Sequence, residues 1–320
     1  MNISVLGCGR WGSFIGWYLA NHGHNVVQWG LEHEPSFRVL KDTGANEYVA
    51  LDSRIELTSD LKYAVEKSDV LIISISSQAL RSFMTTVTPL GVQDKNFVLC
   101  MKGIEESTGK RLSEVMTESG IDPMKIAVWV GPGHIQDFTR GIPNCMVIDS
   151  KNPELIKLLA DSFRSELIRF YYGNDLIGSE IGAAAKNVMG IAAGMLDGGG
   201  YTTLKGPLMA RGAREIARLI RALGGNELSA YGLCHLGDYE TTLFSPFSHN
   251  RKFGELYMKG EKFEKLAEGV KTSAALKKLG EQVGVDLPIT NAVYNVTYHG
   301  KDPMEELLVL FGREPKREFE

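Results

Sequence analysis

The chain has 320 residues, of which 43% are hydrophobic and 23% charged, with 35 glycines. That length buries roughly three quarters of the surface the unfolded form exposes, enough for a large core and normally for two domains, and the composition excludes disorder. A formal net charge of -4 and an isoelectric point near 6.0 leave no basic stripe to neutralise a phosphate backbone, so nucleic acid is not an expected partner.

Ile3-Ser4-Val5-Leu6 reads as a first strand, too close to Met1 to leave room for a charged region, an apolar stretch and a cleavage site, so export is not expected. Gly7-Cys8-Gly9-Arg10-Trp11-Gly12 follows directly and opens a helical pattern from Ser13 to Asn21, ended by Gly23. Between a strand and a helix, G-x-G-x-x-G is a dinucleotide signal. Gly7 permits the turn, Gly9 admits the pyrophosphate, and Gly12 lets helix and strand pack closely. The helix start adds unpaired N–H groups and a positive dipole end. A second strand, Val26-Trp29, leads to Leu31, where the adenosine ribose is expected; a carboxylate there favours NAD and an arginine NADP. Leu31 is neither, Glu32 is one place late and Arg38 lies farther on, so either cofactor is expected, with a slight lean to NAD.

Further short β-rich runs follow at Val70-Ile75, Phe97-Met101, Ala127-Val130 and Met146-Ile148. The alternation with helical patterns predicts a doubly wound, mostly parallel sheet of the Rossmann kind, covered by helices on both faces. Beyond about Phe170 helical spacing takes over, at 176-196, 207-223, 251-259, 272-283, 289-298 and 303-311, punctuated by Gly198-Gly199-Gly200, Gly224-Gly225, Pro288 and Pro303. This reads as an α/β dinucleotide-binding domain over 1-174 and an all-α substrate and catalytic domain over 175-320. The cleft between them is the default site. The apolar stretch Ile181 to Leu196 carries Lys186 in its middle, so it reads as a buried core helix and no membrane insertion is expected. Cys8, Cys100, Cys145 and Cys234 form no C-x-x-C pair, which suits reduced thiols, a cytoplasmic location and no metal. The apolar helices of the second half leave a homodimer open.

Transfer of hydride between a nicotinamide and an alcohol or ketone needs aligned carbons, a proton carrier at the oxygen and donors that steady developing charge. A lysine whose pKa is lowered by desolvation or a second cation can carry that proton near neutral pH. Lys186, set among small apolar residues in Ile181-Gly182-Ala183-Ala184-Ala185-Lys186-Asn187-Val188, is the first candidate. Lys102-Gly103, at the carboxyl end of the Phe97-Met101 strand, is the second.

Across almost the whole chain these residues fall into blocks whose order resembles the NAD(P)-dependent glycerol-3-phosphate dehydrogenases of the bacterial type. The blocks include G-x-G-x-W-G at 7-12, Ser76-Ser77-Gln78-Ala79-Leu80-Arg81, Lys102-Gly103, Gly131-Pro132, Arg140-Gly141-Ile142-Pro143, Gly182 to Val188, Ala192 to Gly198, Arg211-Gly212, Leu236-Gly237-Asp238, Asn250 to Gly254 and Pro288-Ile289-Thr290. The resemblance implies reversible reduction of dihydroxyacetone phosphate to glycerol 3-phosphate, a phosphorylated small-molecule substrate, and a role in supplying phospholipid backbones. It implies that Lys186 is the general acid/base, that Lys102 touches substrate and cofactor, that Asp238 and Thr242 line the substrate site and hold the lysines, and that Asn187 assists. Gly131, Gly133, Ser248, His249 and Asn250 match substrate-side positions. Arg10, Trp11, Leu31, Ser76, Gly131, Ile135, His249, Leu266 and Glu268 match positions beside the dinucleotide.

Three departures bear on the phosphate. The family's Ser-Arg-Asn is Ser248-His249-Asn250 here, replacing a permanently charged fork with a side chain whose unperturbed pKa is near 6.5. Gly133-His134 stands where a small hydroxyl residue and an aromatic are usual. The family's Gly-x-Asn element becomes Tyr201-Thr202-Thr203-Leu204-Lys205, one residue shorter. Ser248 or Asn250 at a helix start, with Arg251, Lys252, His134 or Lys205 nearby, could make good the lost arginine. Two alternatives therefore stay open, a related dehydrogenase with another hydroxy or keto substrate and a non-catalytic dinucleotide-binding sensor.

Overall fold

A computed structural model describes residues 1–315, 317 and 318. The chain divides into two compact units, one of Met1–Met101 with Leu112–Leu176, the other of Lys102–Arg111 with Ile177 onward.

The first unit is built on eight strands: β1 (Asn2–Leu6), β2 (Asn25–Trp29), β3 (Glu56–Thr58), β4 (Val70–Ile73), β5 (Asn96–Leu99), β6 (Ile126–Val130), β7 (Asn144–Ser150) and β8 (Ile168–Tyr172). Between them run α1 (Arg10–Asn21), α2 (Pro35–Thr43), α3 (Leu61–Glu66), α4 (Leu80–Val87), α5 (Leu112–Glu118), α6 (Ile135–Phe138) and α7 (Pro153–Phe163). The strand order is β3-β2-β1-β4-β5-β6-β7-β8. All neighbours are parallel except β6 and β7. The expected doubly wound sheet is therefore present, and every strand read from the sequence is found. β3 and β8 went unread, because one is three residues long and the other, Ile-Arg-Phe-Tyr-Tyr, is an edge strand exposed along much of its length. Val70 to Ile73 are all fully buried, as their unbroken apolar run required.

The second unit contains α8 (Leu176–Gly198), α9 (Lys205–Ala222), α10 (His249–Met258), α11 (Glu268–Val283), α12 (Pro288–His299) and α13 (Pro303–Phe311). Among the described residues no helix is long and apolar enough to cross a membrane. Helix α8 is rich in Gly and Ala because it is crossed closely by α10: a Cβ on Gly194 would lie 1.9 Å from the Arg251 carbonyl oxygen, and one on Gly254 would lie 2.1 Å from that of Ile191. Small residues let the two backbones touch where larger ones would force the helices apart.

The segment Lys102–Arg111 packs with these helices although it follows β5. Ile104 is fully buried in their core, Arg111 Nη1 pairs with Glu180 Oε2 at 2.7 Å, and the Tyr298 hydroxyl donates to Glu106 Oε1 at 2.6 Å. Its long-range partners explain why no composition break at 102 announces it.

Candidate active site

In the first unit the glycine turn sits where the strand order reverses, between β1 and β4, the place where open α/β sheets take their ligands. Gly7 has a positive φ of 129°, and a Cβ there would lie 2.2 Å from the Ser74 carbonyl oxygen. Gly12 is equally constrained, its Cβ falling 2.1 Å from the Gly7 carbonyl oxygen. Gly9 is the opposite case: a Cβ would meet nothing within 4 Å. Two glycines are thus demanded by the fold, while the third opens its face to a visitor. Helix α1 starts with Gly9 as its N-cap, with no side-chain cap bond and no acidic residue in its first turn. Its leading N–H groups suit an anion. This combination fits a dinucleotide pyrophosphate.

Leu31, Ser76 and Gly131 stand beyond the carboxyl ends of β2, β4 and β6, on the same edge as that turn. Leu31 is 44% exposed. Glu32 beside it is held by Lys41, 2.6 Å away, which with Ser59 draws its carboxyl below the ordinary range. Gly133 precedes the short α6, and a Cβ there would strike the Phe138 ring at 2.4 Å. Ile135 is buried in the sheet's core, where Trp11 packs against Phe14 and Phe138. Arg10, exposed, opens α1.

The second unit brings five predicted residues together. Lys186 and Asn187 come from the middle of α8, Lys102 from the start of the 102–111 segment, Asp238 from a 3-10 turn at Leu236–Asp238, and Thr242 from a π turn at Glu240–Phe244. Asp238 Oδ2 receives both ammonium groups, Lys102 Nζ at 2.7 Å and Lys186 Nζ at 3.0 Å. Lys186 Nζ also donates to Thr242 Oγ1 at 2.7 Å. Asn187 Nδ2 donates to the Lys102 carbonyl oxygen at 3.0 Å and so fixes the backbone from which the second lysine springs. Thr241, which sequence reasoning missed, donates its hydroxyl to Asp238. No motif marks it, since its role exists only once the turn has formed.

Electrostatics follow from this geometry. Asp238 is fully buried, which by itself would raise its pKa, yet the two lysines outweigh burial and hold it below the usual carboxylate range. Burial is the larger influence on Lys186: desolvation and the neighbouring Lys102 cation overcome the attraction of Asp238 and bring the ammonium down to about 8. A cluster of two ammonium groups and one carboxylate keeps a net positive charge and a proton that can leave near neutral pH.

Ser248 is the N-cap of α10, its Oγ accepting from the Arg251 N–H at 3.3 Å. His249 opens the helix with its ring edge-on to Phe263, centroids 5.8 Å apart. Asn250 Oδ1 accepts from the Gly269 N–H at 2.9 Å, fastening α10 to the turn that holds Leu266, 57% exposed, and Glu268, the first residue of α11. Arg251 Nε donates to the Ser245 carbonyl oxygen at 3.1 Å, just before this helix start, and Lys205 Nζ to that of Leu243 at 3.0 Å. Both are tied to Asp197, and Lys252 lies 3.4 Å from Glu255. A mainly apolar cavity of about 480 Å³ lies elsewhere in this unit, lined among others by Leu196, Arg211, Ile289 and Leu310, and includes none of the lysine cluster. Among the described residues no group of acidic, cysteine and histidine side chains is arranged to hold a metal.

A Rossmann-type sheet with an open-faced glycine turn, together with a helical unit that presents a buried, pKa-lowered lysine, defines a nicotinamide-dependent oxidoreductase. Comparison with known proteins gives the particular one. The model for the NAD-dependent glycerol-3-phosphate dehydrogenase N-terminus matches residues 2–156 and that for the C-terminus residues 175–308, and the chain belongs to this family. It is 36% identical to the glycerol-3-phosphate dehydrogenase [NAD(P)+] of Prosthecochloris aestuarii, with all of both chains covered. It is 37% identical to that of Moorella thermoacetica, covering 100% of this chain and 98% of the relative. The crystal structure of the Coxiella burnetii glycerol-3-phosphate dehydrogenase aligns with a TM-score of 0.89 at 26% identity, over 97% of this chain and 98% of that one.

Proposed function

We propose that this enzyme reduces dihydroxyacetone phosphate to sn-glycerol 3-phosphate, reversibly, with Lys186 as the group that delivers and recovers the hydroxyl proton. The observation that carries the assignment is the position of Lys186 Nζ, held between Asp238 and Thr242 in a buried site that lowers its pKa to about 8. The dinucleotide would be held at Gly7, Gly9 and Gly12 and by the first N–H groups of α1, with Arg10, Trp11, Leu31, Ser76, Gly131, Ile135, Leu266 and Glu268 as its further neighbours. When bound, its nicotinamide donates hydride to the substrate carbonyl carbon or takes it back. Glu32 is engaged by Lys41, and the enzyme is assigned either NAD or NADP.

The protein's own part is proton handling and charge. In reduction, the Lys186 ammonium gives its proton to the carbonyl oxygen and the amine remains; in oxidation the neutral amine accepts it. Lys102, the second cation on Asp238, steadies the negative charge that builds on that oxygen. Asp238 neutralises one of the two cations and holds both in place, Thr242 aims Lys186, and Asn187 anchors Lys102. Ser248, His249, Asn250, Gly131 and Gly133 are assigned to the remainder of the substrate, with the first N–H groups of α10 facing its phosphate. Both relatives bear the same activity in their names, and neither a different substrate nor a purely dinucleotide-sensing role has an observation in its favour.

The same reading includes supply of phospholipid backbones, a homodimer, and a cytoplasmic location, in keeping with four free cysteines. The test is direct. Purified protein given dihydroxyacetone phosphate should oxidise NADH or NADPH, and Lys186→Ala should lose on the order of a thousandfold or more in kcat while still quenching its tryptophan fluorescence on dinucleotide binding. No turnover by the intact enzyme with either cofactor, or undiminished turnover by the variant, would reject the assignment.

A further inference from the structure

A second buried charged cluster lies at the end of α8, apart from the lysines on Asp238. Asp197 stands in the last turn of helix α8, and its Oδ2 receives Lys205 Nζ at 2.6 Å and Arg251 Nη1 at 2.7 Å. Each cation then reaches onward to the backbone that leaves the π turn: Lys205 Nζ donates to the Leu243 carbonyl oxygen at 3.0 Å, and Arg251 Nε to that of Ser245 at 3.1 Å. The Lys205 ammonium also sits 4.8 Å from the centre of the Phe244 ring. The Lys205, Asp197 and Arg251 side chains are only 6, 14 and 15% exposed, so water screens these contacts little.

The other side of the same turn carries the active residues. Thr242 accepts from Lys186, and Thr241 donates to Asp238. The last carbonyls of a helical turn lack partners within it, and a single π turn has little cooperativity of its own to hold its shape. Here two cations locked to one carboxylate reach them: Lys205 is the donor to the Leu243 carbonyl, and Arg251 joins the Ser248 N–H on that of Ser245. A buried ion cluster is costly to form and is weak support for stability as such, whereas its directed bonds fix where the Leu243 and Ser245 carbonyls, and hence Thr242, can be.

We propose that Lys205, with Asp197 and Arg251, is a positioning residue for the proton carrier: it clamps the exit of the π turn so that Thr242 Oγ1 stays in hydrogen-bond reach of Lys186 Nζ. The inference rests on Lys186 being that carrier. It also gives Lys205 a task other than binding the phosphate, because its ammonium is already occupied by a carboxylate, a carbonyl and an aromatic face.

The consequence is a coupling between Lys205 and Thr242. Lys205→Met keeps the length of the stem but takes the ammonium from the Leu243 carbonyl and leaves Asp197 with Arg251 as its cation. It is expected to lower kcat for dihydroxyacetone phosphate reduction roughly ten- to a hundredfold with the dinucleotide KM unchanged. It should also move the alkaline limb of kcat to lower pH, since an ammonium that loses an acceptor releases its proton more easily. Lys205→Arg should recover most of the rate. In a Thr242→Val background Lys205→Met should cost almost nothing more, because the contact it serves is already gone. Losses that multiply in the double variant, or an alkaline limb that stays put, overturn the proposal. Should Lys205→Met fail to fold, Asp197→Asn put through the same cycle decides it by the same criteria. If the unmodified enzyme is inert, the reductase reading fails separately. Lysine side-chain NMR then decides the positioning claim, which stands if the Lys186 titration shifts downward in Lys205→Met and falls if it does not move.

Discussion

Lys186 shows how a single residue acquires chemistry from its surroundings. Desolvation, the first of its influences, and the Lys102 cation both disfavour charge, Asp238 favours it, and the balance is a pKa of about 8 against an ordinary 10.5. Reduction needs the charged form, so its kcat is expected to be level at neutral pH and to fall as pH rises through about 8. Oxidation of glycerol 3-phosphate needs the neutral amine and should rise through the same pH. Initial rates in both directions across pH 6 to 10, taken from the full width of that window, check the sign, and Lys186→Arg should abolish both limbs together with the rate. Parallel pH profiles for the two directions would contradict a proton carrier at this position. The sequence revealed the lysine as a charge out of place in an apolar helix. Residue spacing does not single out its carboxylate partner; only the family resemblance of Leu236-Gly237-Asp238 points to Asp238, which is joined to Lys102 across 136 residues.

Among the elements, α12 owes its start to a residue on α9. Glu215, buried and nearly inaccessible, accepts from the Ile289 N–H at 2.8 Å, the Thr290 N–H at 3.0 Å and the Thr290 hydroxyl at 2.7 Å. Burial pushes its carboxyl up in pKa, against the pull of those three donors and Arg218. Glu215→Gln turns an NH₂ group toward backbone donors, so at least one buried N–H loses its partner. It is expected to cost about 2–3 kcal/mol and to lower the melting temperature by roughly 4–12 °C. Calorimetry on the variant checks this, and an unchanged melting temperature would mean that α12 does not depend on the cap. Pro288, at the first helical position, was enough to predict where α12 begins, but the acceptor for its free N–H groups comes from 74 residues earlier. For the same reason the 102–111 segment was not legible, since Glu180 and Tyr298, which hold it, are distant in sequence, whereas β8 lacks the apolar run of a covered strand.

At the scale of the molecule, helix α13 presents a cluster of apolar side chains to water. Leu308, Val309 and Phe311 are 66, 63 and 65% exposed on a single short helix, and clustered apolar exposure of this kind usually meets a partner surface. The proposed homodimer should therefore sediment at twice the chain mass of 35.3 kDa, and Leu308→Glu with Phe311→Glu should bring it toward the monomer; a native enzyme that sediments as a monomer at micromolar concentration removes the dimer from the proposal. Sequence alone determined the alternation of strands and helices, the glycine turn and the helical second half, because each is written in spacing over a few residues, where backbone sterics and apolar periodicity act locally. Tertiary structure decided that Lys102, Lys186, Asp238 and Thr242 meet, that Lys205 bonds to Asp197 and to the Leu243 carbonyl oxygen, and that burial draws the Lys186 ammonium down to about 8. Those properties depend on burial and on charges brought together from distant parts of the chain, and neither exists until the chain has folded.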